Sequence, residues 1–313
     1  MPSNREHGVD IARGLALISM YLAHTAPSTP GDITNLSEFS TLPLFAMLIG
    51  MGMLLSWRRH STRDFLVGTT VRAVFLVLID LAVGRLGAAV WPVLIDLALL
   101  MVVLIPLVWV PSWALLALSA LLAVASPWID VLVNHAPWYP YRLTTLAAWG
   151  VIGIVLARWL PGHRRFFAWT SGAALVVMGA LLIAKRLEWL DIRPYTGTTA
   201  ETVLNASMAL VVIGFCLAVS WPGWLARPLV AMGQMTLTLY ALQLIALAAW
   251  IGPLGHATDD SWVVFGGLVV GSVLIALGWR WLSPRTRGPV EYVIARVVLA
   301  ISSAVEPRAR PEG

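Results

Sequence analysis

The sequence predicts an all-α integral membrane protein, and two observations carry that reading. Of 313 residues, 59% are hydrophobic and only 12% are charged, and the mean hydropathy is +0.81. Counting glycine and leaving out tyrosine, the apolar share is about 65%, against about 45–50% in soluble domains. A soluble globule of this length has too little interior to hide so much apolar surface. The apolar residues also fall into runs of about 20, the length a helix needs to cross a bilayer.

Ten such runs predict ten transmembrane helices, near 9–27, 38–57, 65–84, 89–108, 112–133, 142–160, 167–186, 200–220, 229–251 and 262–282. They lack the alternation of barrel strands. Residues 1–286 read as one transmembrane domain. Residues 287–313 read as a cytoplasmic appendage: an amphipathic interfacial helix that opens near Pro289, then a disordered tail, EPRARPEG. The first run is interrupted by Asp10 and Arg13 and reads as a retained span, not as a signal peptide.

Basic residues set the orientation. With the N-terminus in the cytoplasm, 14 of the 21 Lys and Arg fall on the cytoplasmic side and five on the outer side. Arg13 and Arg72 fall within spans. Positive residues accumulate inside, so a multi-pass protein of the cell membrane with both termini cytoplasmic is expected. The net charge of +5 then reflects topology, not nucleic-acid binding. A lone cysteine, Cys216, excludes a disulfide scaffold. The six histidines show no metal-ligand spacing, so no metal is expected.

Ionisable groups inside spans are expensive and point to function. The first run holds Asp10, Arg13 and His24. Eleven steps of 100° return from Arg13 to within about 20° of the same direction at His24, and Asp10 lies about 60° away. The three share a face with Leu17 and Met20. This predicts a polar seam, with Asp10 and Arg13 at the cytoplasmic mouth and His24 near the outer one. Arg13 suits an anion, and His24 suits a proton acceptor. The simpler reading makes Asp10 and Arg13 an i,i+3 pair that anchors the helix. Arg72, Asp80 and Asp96 either pair across helices or, for one carboxylate, orient His24. In MGQMTLTLYALQLI, Thr236, Tyr240 and Gln243 are spaced to form one stripe, and Gln234 and Thr238 another. Such residues line sites or hold spans together. Gly50 and Gly52 read as packing glycines.

VDIARGLALISMYLAH resembles the opening helix of the transmembrane acyltransferase superfamily, on Asp10, Arg13, Gly14 and His24. The Arg-x10-His spacing is similar to that of acyltransferase family 3. LFAMLIGMGMLLSW, WPVLIDLALL with Asp96, MGQMTLTLYALQLI and RGPVEY resemble segments of the YeiB-type family of that superfamily, to which heparan-α-glucosaminide N-acetyltransferase is related. The chain has His24 where that family often has Asn, and Gln234 where it has Arg. The resemblance implies transfer of an acyl group from cytoplasmic acyl-CoA (acetyl-CoA or similar) to a hydroxyl or amine of an extracytoplasmic glycan, lipid or envelope polymer. It implies His24 as base and Asp96 as the group that sets its tautomer. Asp10, Arg13, Arg72, Gln234, Thr236, Tyr240 and Gln243 would bind substrate. Membrane lipids would surround the protein, and a homodimer is left open. The alternatives are a transporter or flippase using the same seam, and a structural subunit. Broken helices or internal repeats would favour transport.

Overall fold

The computed structural model describes residues 4–27, 36–88, 90–133, 139–160, 163–256, 258–283 and 288–305. The C-terminal tail expected from the sequence, EPRARPEG, lies outside them. The described residues form helices without strands: α1 (Asn4–Thr25), α2 (Leu36–Arg59), α3 (Thr62–Val83), α4 (Leu94–Leu104), α5 (Ser112–Leu132), α6 (Leu143–Trp159), α7 (Arg164–Arg186), α8 (Thr199–Ala218), α9 (Gly223–Gln234), α10 (Thr236–Ile251), α11 (Trp262–Leu282) and α12 (Pro289–Val305).

Among them six helices are long and apolar enough to cross a membrane, or seven if α9 and α10 count as one bent span. The expected fourth run forms only an 11-residue helix. Pro106 lacks the N–H that would extend it and opens a short 3-10 turn, Pro106–Trp109. The expected ninth run breaks at Met235, where α10 departs from α9 by 80°. α6 is also short, at 17 residues. The chain is thus an all-helical protein with several helices suited to a membrane.

α1 is the central helix. Ala12, Ala16, Leu17 and Tyr21 are fully buried, and α1 packs on α2, α8, α9 and α11. Glycine permits the closest approaches. A Cβ on Gly153 of α6 would run into the Met47 carbonyl of α2, and one on Gly233 of α9 into the Asp10 carbonyl of α1. Gly50 meets the Gly150 carbonyl in the same way. α5, α7 and α11 sit at the periphery. Leu132, Trp169 and Trp281 are 80% or more exposed, an apolar outer surface of the kind that suits a lipid environment.

Arginines that the sequence marks as topological also close helix ends. Arg158 donates to the carbonyls of Val108 and Val110 and to Ser112, and Arg58 donates to the Ala157 carbonyl. Pro289 opens α12, as its fixed φ allows. This helix bridges α3 and α10, with Ile294 buried and Val298 against Gly68.

Candidate functional site

Two polar sites flank α1, roughly 20 Å apart along its axis. At the first, Asp10 accepts from both sides: Arg13 Nη1 donates to Oδ1 at 3.0 Å, and Gln234 Nε2 donates to Oδ2 at 2.9 Å. The i,i+3 pair is present, and it is tied to the end of α9. Arg13 keeps 28% of its side chain exposed. Gly52 clears room beside it, since a Cβ there would stand 3.2 Å from Arg13 Nη2. Gly50 and Gly52, alike in sequence, therefore do different things. One seals a helix contact and the other makes space for a guanidinium.

The break at Met235 lies beside this cluster. Gln234 ends α9, whereas Thr236 and Thr238 begin α10, so the expected Gln234–Thr238 stripe does not form on one helix. Thr236 Oγ1 donates to the Gly233 carbonyl at 2.8 Å. The freed N-terminus of α10 is capped from α12. Glu291 Oε1 accepts the Leu237 and Thr238 N–H groups at 2.9 and 3.1 Å, and Oε2 accepts the Thr238 hydroxyl at 2.6 Å. An acid at a helix N-terminus meets both the orphan donors and the positive end of the dipole. Sequence reasoning quoted RGPVEY but gave Glu291 no role. The signal was an acid two residues after a helix-opening proline.

At the second site, Gln243 Nε2 donates to His24 Nδ1 at 2.7 Å. Gln243 is 1% exposed, and its Oε1 has no partner. Between the two sites, Leu17 and Met20 fill the shared face and are buried. The seam is thus two polar sites separated by an apolar plug.

Asp80, Asp96 and Tyr240 lie around the start of α4. Asp80 Oδ2 accepts the Ile95 N–H at 3.0 Å, so this α3 carboxylate caps α4. Asp96, in the first turn of α4, accepts from the Tyr139 hydroxyl at 2.6 Å. Burial first, then Asp96, raises the Tyr139 phenol above its ordinary pKa. Tyr240 accepts the Val93 N–H at 3.3 Å, and Tyr141 donates to the Trp91 carbonyl at 2.9 Å. The strip Trp91–Val93 thus joins Tyr141 to α10, three residues before Gln243. Asp96 was expected to set the tautomer of His24; the partner of His24 Nδ1 is Gln243. Arg72 is exposed on α3, and its Nη1 lies near Gly68, beside α12. Among the described residues no three His, Cys, Asp or Glu group as metal ligands.

Comparison with protein-family models, with curated proteins and with solved structures finds no match to this chain.

Proposed function

We propose that the protein is a membrane-bound acyltransferase, taking an acyl group from cytoplasmic acyl-CoA to a hydroxyl or amine on the opposite face. The observation that carries this reading is the arrangement on α1: a partly exposed arginine at one end, a histidine held by an amide at the other, and Leu17 and Met20 between them. Arg13 suits the phosphates of the donor. The apolar midsection is closed, with Leu17 and Met20 buried, so an acyl arm would have to displace these side chains to pass between the two sites. His24 would take the acceptor's proton as its oxygen or nitrogen attacks the thioester carbonyl. The carbon–sulfur bond then breaks, and the proton goes to the departing thiolate. Holding both reactants in a dry interior adds proximity to charge stabilisation.

The test is incubation of the purified protein with labelled acyl-CoA and cell-envelope extract, followed by mass spectrometry for an acylated product. A His24→Ala protein that folds normally and transfers at the full rate would overturn the role of the base.

One observation favours a transporter or flippase instead. α9 and α10 form a span broken by 80° beside Asp10 and Arg13, and discontinuous helices mark many transport sites. Counterflow of an unmodified substrate in liposomes, with no covalent product, would decide for that reading.

A further inference from the structure

Several helix ends meet at one corner of the molecule, and that corner is basic. The turn from α2 to α3 carries Arg58, Arg59 and Arg63, and the turn from α6 to α7 carries Arg158, Arg164 and Arg165. Residues 56–66 and 157–167 set one acid, Asp64, against these six. The two turns are joined directly. Arg58 Nη1 donates to the carbonyl of Ala157, the residue before Arg158, at 3.3 Å. Arg158 reaches to the start of α5, donating to Ser112 Oγ and the Val108 carbonyl at 3.1 Å each and to the Val110 carbonyl.

Closing helix ends does not exhaust these guanidiniums. Of the five N–H groups a guanidinium carries, Arg58 spends one and Arg158 three. Among the described residues neither has a carboxylate partner, and their charges interact with each other. Carbonyl dipoles offset only part of two full charges, and like charges held together cost free energy until an anion compensates them. Arg58 is exposed and Arg158 half-buried, so an anion can reach both. Tryptophans border the pair. Trp109 and Trp159 are exposed, and Trp57 stands edge to face with Trp109 at 6.2 Å. Such rings favour the headgroup level of a bilayer. Next to Ser112, α5 turns Trp113, Leu116, Ala120 and Val124 outward, spaced i, i+3, i+7 and i+11 along one face. That stripe is roughly 16 Å long, about the depth of one leaflet.

We propose that Arg58 and Arg158 bind the phosphate of an anionic phospholipid whose acyl chain lies along Trp113, Leu116, Ala120 and Val124. Charge complementarity selects this occupant. A choline headgroup would bring a further cation into a corner with six arginines and one acid, and a free phosphate would leave the apolar stripe unused. The bound lipid compensates the paired charges and ties α2, α5 and α6 together, so it stabilises the fold. The site does not depend on the acyltransfer reading.

The experiment follows thermal unfolding of the purified full chain in a neutral detergent, titrated with phosphatidylglycerol, with phosphatidylcholine or with ADP. A ligand of the folded state raises the midpoint in proportion to its occupancy. A saturable rise with phosphatidylglycerol is expected, with little from the other two. Arg58→Gln keeps an N–H donor, loses the charge and leaves the Arg158 contacts in place. It should need about fivefold more phosphatidylglycerol for the same rise, the share of one basic side chain. Arg186→Gln removes an equal charge from the opposite end of α7 and should titrate as wild type does. Equal rises with the two phospholipids overturn the site, as does an equal loss in Arg58→Gln and Arg186→Gln, which would mark diffuse attraction. A rise with ADP that matches phosphatidylglycerol would make the corner a nucleotide site and remove the lipid.

Discussion

Glu291 and Thr238 join α12 to α10, just after the bend from α9: the threonine hydroxyl donates to the carboxylate at 2.6 Å, and the Val290 N–H donates to the same hydroxyl oxygen at 3.2 Å. The break leaves α10 with an N-terminus that no preceding helical turn satisfies, and Glu291 supplies the acceptors. Gly288 leaves room for this, because a Cβ there would overlap Glu291 Oε2. Glu291→Ala should lower stability by about 1–3 kcal/mol, the usual result of orphaning buried donors. Glu291→Gln keeps an acceptor oxygen and loses the charge at the dipole, so about 0.3–1 kcal/mol is expected. Thermal unfolding in detergent checks both. Equal midpoints for wild type and Glu291→Ala would show that the cap contributes nothing.

Glycine contacts give a paired prediction. Gly153→Ala places a methyl group on the Met47 carbonyl and must push α6 from α2, which should destabilise by about 1–3 kcal/mol. Gly179→Ala, in α7, meets nothing within 4 Å and should be tolerated or slightly stabilising. The same thermal measurement compares them. If both variants behave alike, the α2–α6 contact is not the close packing described.

Much of the fold was legible in the sequence. Among the described residues, the apolar runs located the six long apolar helices, the form an apolar segment takes where lipid would leave its backbone no partner but itself. Pro289 marked the start of α12, and the Arg13–His24 spacing placed two sites on one helix. What was not legible depends on which turn yields to tertiary contacts. MGQMTLTLYALQLI reads as one continuous helix, since Gly233 alone does not stop one. The break appears only because Gly233 packs on the Asp10 backbone and Glu291, over 50 residues later, caps the start of α10. Tyr139, Tyr141 and Arg142 escaped notice as site residues for a similar reason: loop residues carry no period, and their meeting with Glu201, in the first turn of α8, is set by the helices on either side.

Asp259, in the loop before α11, gives a pH prediction. It is 9% exposed, and its Oδ2 has no partner. Burial raises its carboxyl above the usual value, its own backbone N–H opposes this, and neighbouring Asp260 adds to the rise. A carboxyl raised in the folded state binds its proton more tightly there than in the unfolded chain. Folding is therefore favoured at acid pH, and that advantage is lost as pH climbs from about 4 through the raised value. Asp259→Asn should be the more stable protein at neutral pH by about 1 kcal/mol or more, with the difference closing near pH 4. Melting curves from pH 4 to 8 measure it, and a gap that widens toward acid contradicts the sign.

The Gln243–His24 hydrogen bond decides which ring nitrogen can act. With Nε2 of the amide donating to Nδ1, the imidazole proton sits on Nε2, and the Gln243 oxygen is left orphaned. A base acting through Nε2 needs the other tautomer, with Nδ1–H donating to an oxygen. Rotating the amide by 180° supplies that oxygen. Gln243 is then a positioning residue that permits both tautomers. Gln243→Glu keeps an acceptor for Nδ1–H and should retain turnover, whereas Gln243→Leu should lose about 10- to 100-fold in kcat with little change in KM, part of the contribution a general base makes. Nitrogen NMR of histidine-labelled protein reads the tautomer without any assay of activity, and a shift toward the Nδ1–H form is expected in Gln243→Glu. An unchanged tautomer in that variant would sever the link between Gln243 and the base, even if transfer itself were found.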